Sequence, residues 1–354
     1  MNLHIDNDTC HEIIYTQGGV SHSLDKLYYN EHLVWQKLTP DPYATQYFTI
    51  ESLEDNNSIT LKKNGNAPSI TLYYSTDNGA TWTEHATSSE KTWGVDTGDK
   101  ILFKSTAHYY DTGNYGDYWS FTGTKTHNVY GNIMSLTYGD NFTQQYSLRS
   151  NTSHTFGQLF RNDTNLLNAN NLVLAALVLM PWCYSNMFSG CTSLISVPTL
   201  PATTLANYCY VGMFSDCSSI TQAPEINSTT LYEGCYNAMF SRCTALTTAP
   251  DLPATTLAFG CYADMFNGCT TLTEAPELPA TTLSASCYYQ MLYGCSSLKK
   301  IVCLATDISA SNCTVDWVNN VSATGDFYKA ASMSSWTTGT DGIPSGWTVN
   351  NYTS

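Results

Sequence analysis

Basic residues are scarce in this chain. Of 354 residues only 14 are Lys or Arg, against 29 Asp or Glu, which leaves a formal charge of −15. Neutralising phosphates needs a basic face, so nucleic acid is excluded as a partner. The three arginines, Arg149, Arg161 and Arg242, do not cluster to hold a carboxylate. Long apolar runs are missing too: the most hydrophobic tract, Asn171 to Met180, has about half of the roughly 20 residues a spanning helix needs. It reads as an arm of the fold and no membrane span is expected. There is no Cys-x-x-Cys pair and no histidine interleaved with the cysteines, which argues against zinc. All eight histidines (His4, His11, His22, His32, His85, His108, His127 and His154) precede the main cysteine run, and none sits in a nucleophile or metal motif. Each is read as a lone surface side chain. No enzyme, catalytic residue, metal or cofactor is therefore expected. The start, Met1-Asn-Leu-His-Ile-Asp, has neither the basic opening nor the apolar core of an export signal, so a cleaved secretory peptide is not expected. Only 12% of residues are charged; abundant Tyr, Thr, Ser and Asn give a hydroxyl and amide surface of the kind that faces the outside world.

What is present is a repeat. Five times the chain writes Cys-Tyr-x-x-Met-(Phe/Leu)-x-x-Cys, starting at Cys183, Cys209, Cys235, Cys261 and Cys287 and closing at Cys191, Cys217, Cys243, Cys269 and Cys295, always 26 residues on. A fixed period of this length is the mark of a solenoid, whose units bury their apolar sides only by stacking. Leu205, Cys209, Met213 and Cys217 fall at i, i+4, i+8 and i+12, with Tyr210 and Phe214 beside them. That arm is predicted to be an amphipathic helix, with Thr204 as its cap. The arm from Leu194 to Leu200 alternates but carries Pro198, which suits a very short strand. A sixth, altered copy is marked by Cys313, Trp317 and Val321, and Phe160 to Leu166 reads as a degenerate opening copy.

Two cysteines eight residues apart on one helix stand about 12 Å apart, too far for a bridge, so the columns are read as buried free thiols. Cys10 and Cys303 lie outside the columns and are expected to be the accessible ones.

The N-terminal half reads as β. Leu27 to Trp35 holds two short strand-like runs around a turn, and Thr39-Pro-Asp-Pro42 reads as a linker. Strand signals at Tyr47–Ile50, Ser58–Leu61, Ile70–Tyr74, Thr81–Thr83, Lys100–Phe103 and Tyr118–Phe121 suggest an immunoglobulin-like β-sandwich. The predicted organisation is a small β module over 1–39 that docks on a partner, the sandwich over 44–130, a lead-in and cap over 131–182, an α/β leucine-rich-repeat solenoid over 183–321, and a closing cap over 322–354.

Three features bear on binding. Ser75-Thr-Asp77-Asn-Gly79-Ala-Thr81-Trp82 resembles the Asp-box of sialidases, which would imply a glycosidase; the plainer reading is a hairpin whose Asp77 satisfies turn amides. Tyr109, Tyr110, Tyr115, Tyr118 and Trp119, hinged by Gly113 and Gly116, make a candidate binding loop, since Tyr and Trp among small residues form adaptable contact surfaces. Glu225, Asp251 and Glu277 share one column of the repeat and form a candidate acidic ladder. A cation is its sharper use and a solvated strip the preferred one.

Met187-Phe-Ser-Gly-Cys-Thr-Ser-Leu194 resembles the core of BspA-type leucine-rich repeats, and the likeness covers residues 155–350. The resemblance implies a surface protein of Bacteroidales or a structural protein of their gut phages (crAss-like). Of these, a virion fibre or decoration protein is preferred. It would be made in the host cytoplasm, exposed on the particle, attached to other virion proteins through the N-terminal module, and directed at a bacterial surface glycan or protein. A homo-oligomer is expected, a trimer by analogy with fibres. A bacterial cell-surface adhesin is the alternative and a glycosidase a distant third.

Overall fold

The computed structural model describes residues 41–354 except 87–88, 115, 150–151, 335 and 354, and ahead of these the backbone of five strands. Two compact units divide the chain, Met1–Ala44 and Thr45–Ser354. In the first, β1 (Asn2–His4), β2 (Ile13–Gln17) and β3 (Val20–Leu24) form an antiparallel sheet, and β4 (Lys26–Tyr29) pairs with β5 (His32–Gln36). The docking role of residues 1–39 and the accessibility of Cys10 concern side chains outside the described residues.

The second unit opens with two sheets packed face to face. The smaller has the order β10 (Lys91–Val95), β7 (Asn57–Lys63), β12 (Trp119–Gly123). The larger contains β6 (Phe48–Ser52), β8 (Thr71–Ser75), β9 (Thr83–Ala86), β11 (Lys100–Ser105) and β13 (His127–Asn132). Alternate residues point inward, as a half-buried strand requires. Phe48, Ile50, Leu72 and Phe103 of the larger sheet meet Ile59, Leu61, Trp93 and Phe121 of the smaller, with Phe103 and Phe121 ring centroids 4.8 Å apart. A free-standing immunoglobulin-like sandwich is not what forms. β13 pairs in parallel with β14 (Leu166–Asn168) and β15 (Leu172–Val173), so the sheet is mixed and runs on into the opening of the repeats. One core cluster continues from Phe48 to Trp347.

The α/β leucine-rich-repeat solenoid is overturned. Among the described residues the only α-helix is α1 (Ser135–Tyr138), followed by a 3-10 turn over Gly139–Asn141, and neither lies in the repeats. The arm read as a helix is a succession of turns. In one rung Tyr208, Gly212 and Asp216 have φ of 57°, 60° and 63°, and every rung repeats this left-handed residue at each fourth position. No α-helix holds such residues. The main-chain donors alternate accordingly. Cys209, Val211 and Met213 N–H groups close turns onto residues three back, whereas Tyr210, Gly212 and Phe214 donate to Cys235, Asn237 and Met239 of the next rung at 2.8–3.0 Å. A helix would spend every N–H within itself; here half of them tie rung to rung. Thr204 caps no helix, and its N–H donates instead to Leu177 O.

The proline arms are not continuous strands either. They meet mostly through isolated parallel bridges such as Asn168↔Ser196, Gln222↔Thr248 and Glu274↔Lys300. Pro198, Pro224, Pro250 and Pro276 stand buried in one column and supply no donor. Only at the end does a regular parallel sheet appear, β16 (Lys300–Cys303), β17 (Asp326–Lys329) and β18 (Thr348–Asn351).

Period-four inward positions form ladders. Tyr184, Tyr210, Tyr236, Tyr262 and Tyr288 stack with centroids 5.7–6.4 Å apart, and Phe188, Phe214, Phe240 and Phe266 at 5.5–5.8 Å. All twelve described cysteines are free and buried. The second-column thiols do more than fill space: Cys217 Sγ donates to Phe188 O at 3.0 Å, a contact repeated down the column. Cys303, expected to be accessible, is fully buried, because it lies in β16 with its side chain in the core. Residues 171–180 contribute β15 and an irregular arm, and no described helix is long and apolar enough to cross a membrane.

Candidate functional site

The aromatic loop is mostly core. Tyr110 is fully buried; its hydroxyl donates to Leu136 O at 3.0 Å, and burial pushes its pKa well up. Trp119 is equally buried, with Nε1 donating to Pro68 O at 2.7 Å. Tyr118 is 9% exposed and bridges Asp111. Trp119 opens β12, whose alternation turns it inward together with Phe121, and its N–H donates to Tyr110 O at 2.8 Å, which carries Tyr110 into the same core. Tyr109 is exposed, and Tyr115 lies outside the described residues.

Glu225, Asp251 and Glu277 are all exposed, each directly after a buried proline of the column. Glu277 accepts a hydrogen bond from the Tyr352 hydroxyl at 3.0 Å. No cluster of three or more metal-ligating side chains occurs among the described residues. The first two carboxylates instead border a groove across the proline arms. One hollow of about 450 Å³ lies between residues 195–201 and 221–227, and a second of about 400 Å³ follows against residues 248–251; Glu225 lines both. Along the groove no N–H to C=O bond among the described residues joins 195–203 to 221–229, and Ser228 Oγ donates to Ala202 O at 3.3 Å.

A better-built hollow lies on the larger sheet, and it begins with the Asp-box. Asp77 Oδ1 accepts from Ser75 Oγ at 2.6 Å and Thr81 N at 2.9 Å, and Oδ2 from Thr81 Oγ1 at 2.6 Å. These donors hold its carboxyl down at about 2. Asn78 and Gly79 take left-handed φ of 56° and 88°, which closes the turn. The carboxylate is thus consumed by the hairpin, and what the hairpin positions is Trp82. Lys104 Nζ, from β11, sits 4.2 Å over the Trp82 ring and 2.7 Å from Asp140 Oδ1. The Tyr47 hydroxyl donates to the same oxygen at 2.7 Å, and the Tyr47 ring meets Trp82 edge-on at 4.8 Å. Burial, with Asp140 beside it, raises the Tyr47 phenol to about 12, while Lys104 and Tyr47 together hold the Asp140 carboxyl down. Tyr73 and Tyr138 complete the walls of a hollow of about 440 Å³. Of this set the sequence singled out Trp82 alone. Lys104 lies 36 residues before Asp140, on a different element from the Tyr138–Asp140 turn, so only folding brings them together.

The histidines are not uniformly surface groups. His127 is buried, with Nε2 2.9 Å from Asp163 Oδ2 and Nδ1 3.0 Å from Lys125 O. His154 stacks on Trp182 at 5.6 Å, and Trp182 on Tyr208 at 4.2 Å. Set against known proteins, the chain matches no family model, no curated protein and no solved structure.

Proposed function

We propose that this chain is a structural protein of a phage virion, exposed on the particle and used in attachment to a bacterial host, without catalytic activity. The observation that carries this reading is the thiol set. Twelve cysteines are free and buried, ten of them in pairs on five successive rungs of a stack whose exterior is hydroxyl- and amide-rich. Such a protein folds with its thiols reduced, as in a host cytoplasm, and still presents an outward-facing surface. The resemblance of Met187 to Leu194 to BspA-type repeats of Bacteroidales and their phages supports the same reading. Hydrogen bonds from rung to rung make the stack a stiff element, as suits a part of a particle exterior. Several copies acting together, a trimer in our reading, would multiply a weak contact with a surface glycan or protein.

Purified particles analysed by mass spectrometry and immunogold labelling test this. The expected result is stoichiometric recovery of the chain and label on the particle exterior. Recovery instead from the envelope of uninfected bacteria would transfer the protein to the adhesin reading.

A further inference from the structure

We infer that the hollow formed by Trp82, Lys104, Asp140, Tyr73 and Tyr138 is a binding site for a neutral saccharide ring. The inference stands whether or not the chain is a virion protein; where it is, this hollow is the receptor contact.

The walls are fixed before any ligand arrives. Tyr73 donates its hydroxyl to Glu84 Oε2 at 3.0 Å and Tyr138 to Ser147 O at 2.8 Å, while the Arg149 guanidinium lies 4.6 Å over the Tyr138 ring. Trp82 is held by its hairpin on one side and by Tyr47 on the other. Three anchored aromatic side chains around a hollow of this size, with a few convergent polar groups, have the form of a small-molecule site.

The polar groups select the ligand class. A cation is disfavoured, because Lys104 already occupies the Trp82 face at 4.2 Å. An anion is disfavoured, because the one lysine in the lining is committed to Asp140, whose side chain is 63% exposed at the rim. Asp140 Oδ1 takes both protein bonds, from Lys104 and Tyr47, and Oδ2 takes none from the described residues. An acceptor oxygen beside an ammonium with N–H groups to spare matches two neighbouring hydroxyls, one donating to Oδ2 and one accepting from Nζ. The C–H face of the same ring covers the aromatic surface that Lys104 and Arg149 leave open. Neutral sugars combine these two features.

Titration of the full chain with methyl glycosides of neutral hexoses and N-acetylhexosamines, read by calorimetry and saturation-transfer NMR, tests the site. Sialic acid and tetramethylammonium serve as anionic and cationic arms. We expect at least one neutral glycoside to bind, and Trp82→Ala to weaken it about 10-fold or more. Asp140→Asn, on the exposed rim, should weaken it as well and decides the matter if Trp82→Ala does not fold. The inference is overturned if no neutral glycoside binds, if only a charged arm binds, or if both variants bind as the parent does. None of these results bears on where the chain resides, so the virion reading and this one fail separately.

Discussion

Gly212 and Ala238 occupy the same position in successive rungs, with φ of 60° and 53°, and substituting them separates a turn-built arm from a helical one by sign. In a helix interior Gly→Ala stabilises by about 1 kcal/mol. In the left-handed region an L side chain costs roughly 1–2 kcal/mol. Against this, Gly→Ala recovers about 0.4–1 kcal/mol by restricting the unfolded chain. A methyl at Gly212 would also stand 2.5 Å from Asn186 Oδ1, so that side chain must swing away. The net expectation for Gly212→Ala is a loss of about 1 kcal/mol, which places the two geometries about 2 kcal/mol apart. Ala238→Gly is the mirror case. It relieves the left-handed strain at the cost of chain entropy and part of one half-buried methyl, for a net gain of about 0.5 kcal/mol. Guanidinium unfolding of the full chain, followed by far-UV circular dichroism, measures both. Exchange of the Gly212 amide, which donates to Asn237 O at 2.8 Å, localises the change. A stabilised Gly212→Ala together with a destabilised Ala238→Gly would refute the turn assignment.

The spacing of the turn-built arm differs from that of a helix. Its apolar residues recur at an even four, as in Cys209, Met213 and Cys217, where a helix of 3.6 residues per turn would drift off its stripe. A run of turns keeps the period of four without drift. The left-handed positions carried a second signal, since Gly190, Gly212, Gly234, Gly260, Gly268 and Gly294 all fall there; Trp182, Tyr208 and Arg242 in the same places obscured it. Burial of the Cys, Met and Phe ladders was legible, because small and large apolar residues repeated at 26 must share an interior. Most of the sandwich strands were legible from alternation. β10 and β13 were not, for Gly94 and Gly131 interrupt them, and their pairing comes from partners far along the chain. The Trp82 hollow was the least visible, since its charges are ordinary until Lys104 and Asp140 meet.

Three further outcomes follow from the same geometry. Burial pushes the Cys183, Cys235 and Cys295 thiols up to about 12, so native protein should leave the twelve described cysteines unreactive toward a thiol reagent and release all thirteen in denaturant; fast native reaction of ten would refute the buried columns. Arg242 pairs with Asp216 of the preceding rung, but its side chain is 61% exposed, so Arg242→Ala should cost no more than about 1 kcal/mol in unfolding experiments at moderate salt. The third outcome concerns pH. Burial works against a charged His127, but the hydrogen bond and charge of Asp163 outweigh it, with a contribution from Lys125 O, and the imidazole pKa is raised above 6.5. Both ring nitrogens face acceptors, so the pair is satisfied only while it holds its shared proton. A raised folded pKa means that the stabilisation is complete below the unfolded value and is lost as pH climbs through the folded one. Because His127 lies in β13 and Asp163 in the opening rung, losing that proton weakens the joint between the sheet and the stack. Stability measured from pH 6 upward should therefore fall in the parent and fall less in His127→Gln, which starts lower; parallel slopes for the two proteins would remove His127 as the group responsible.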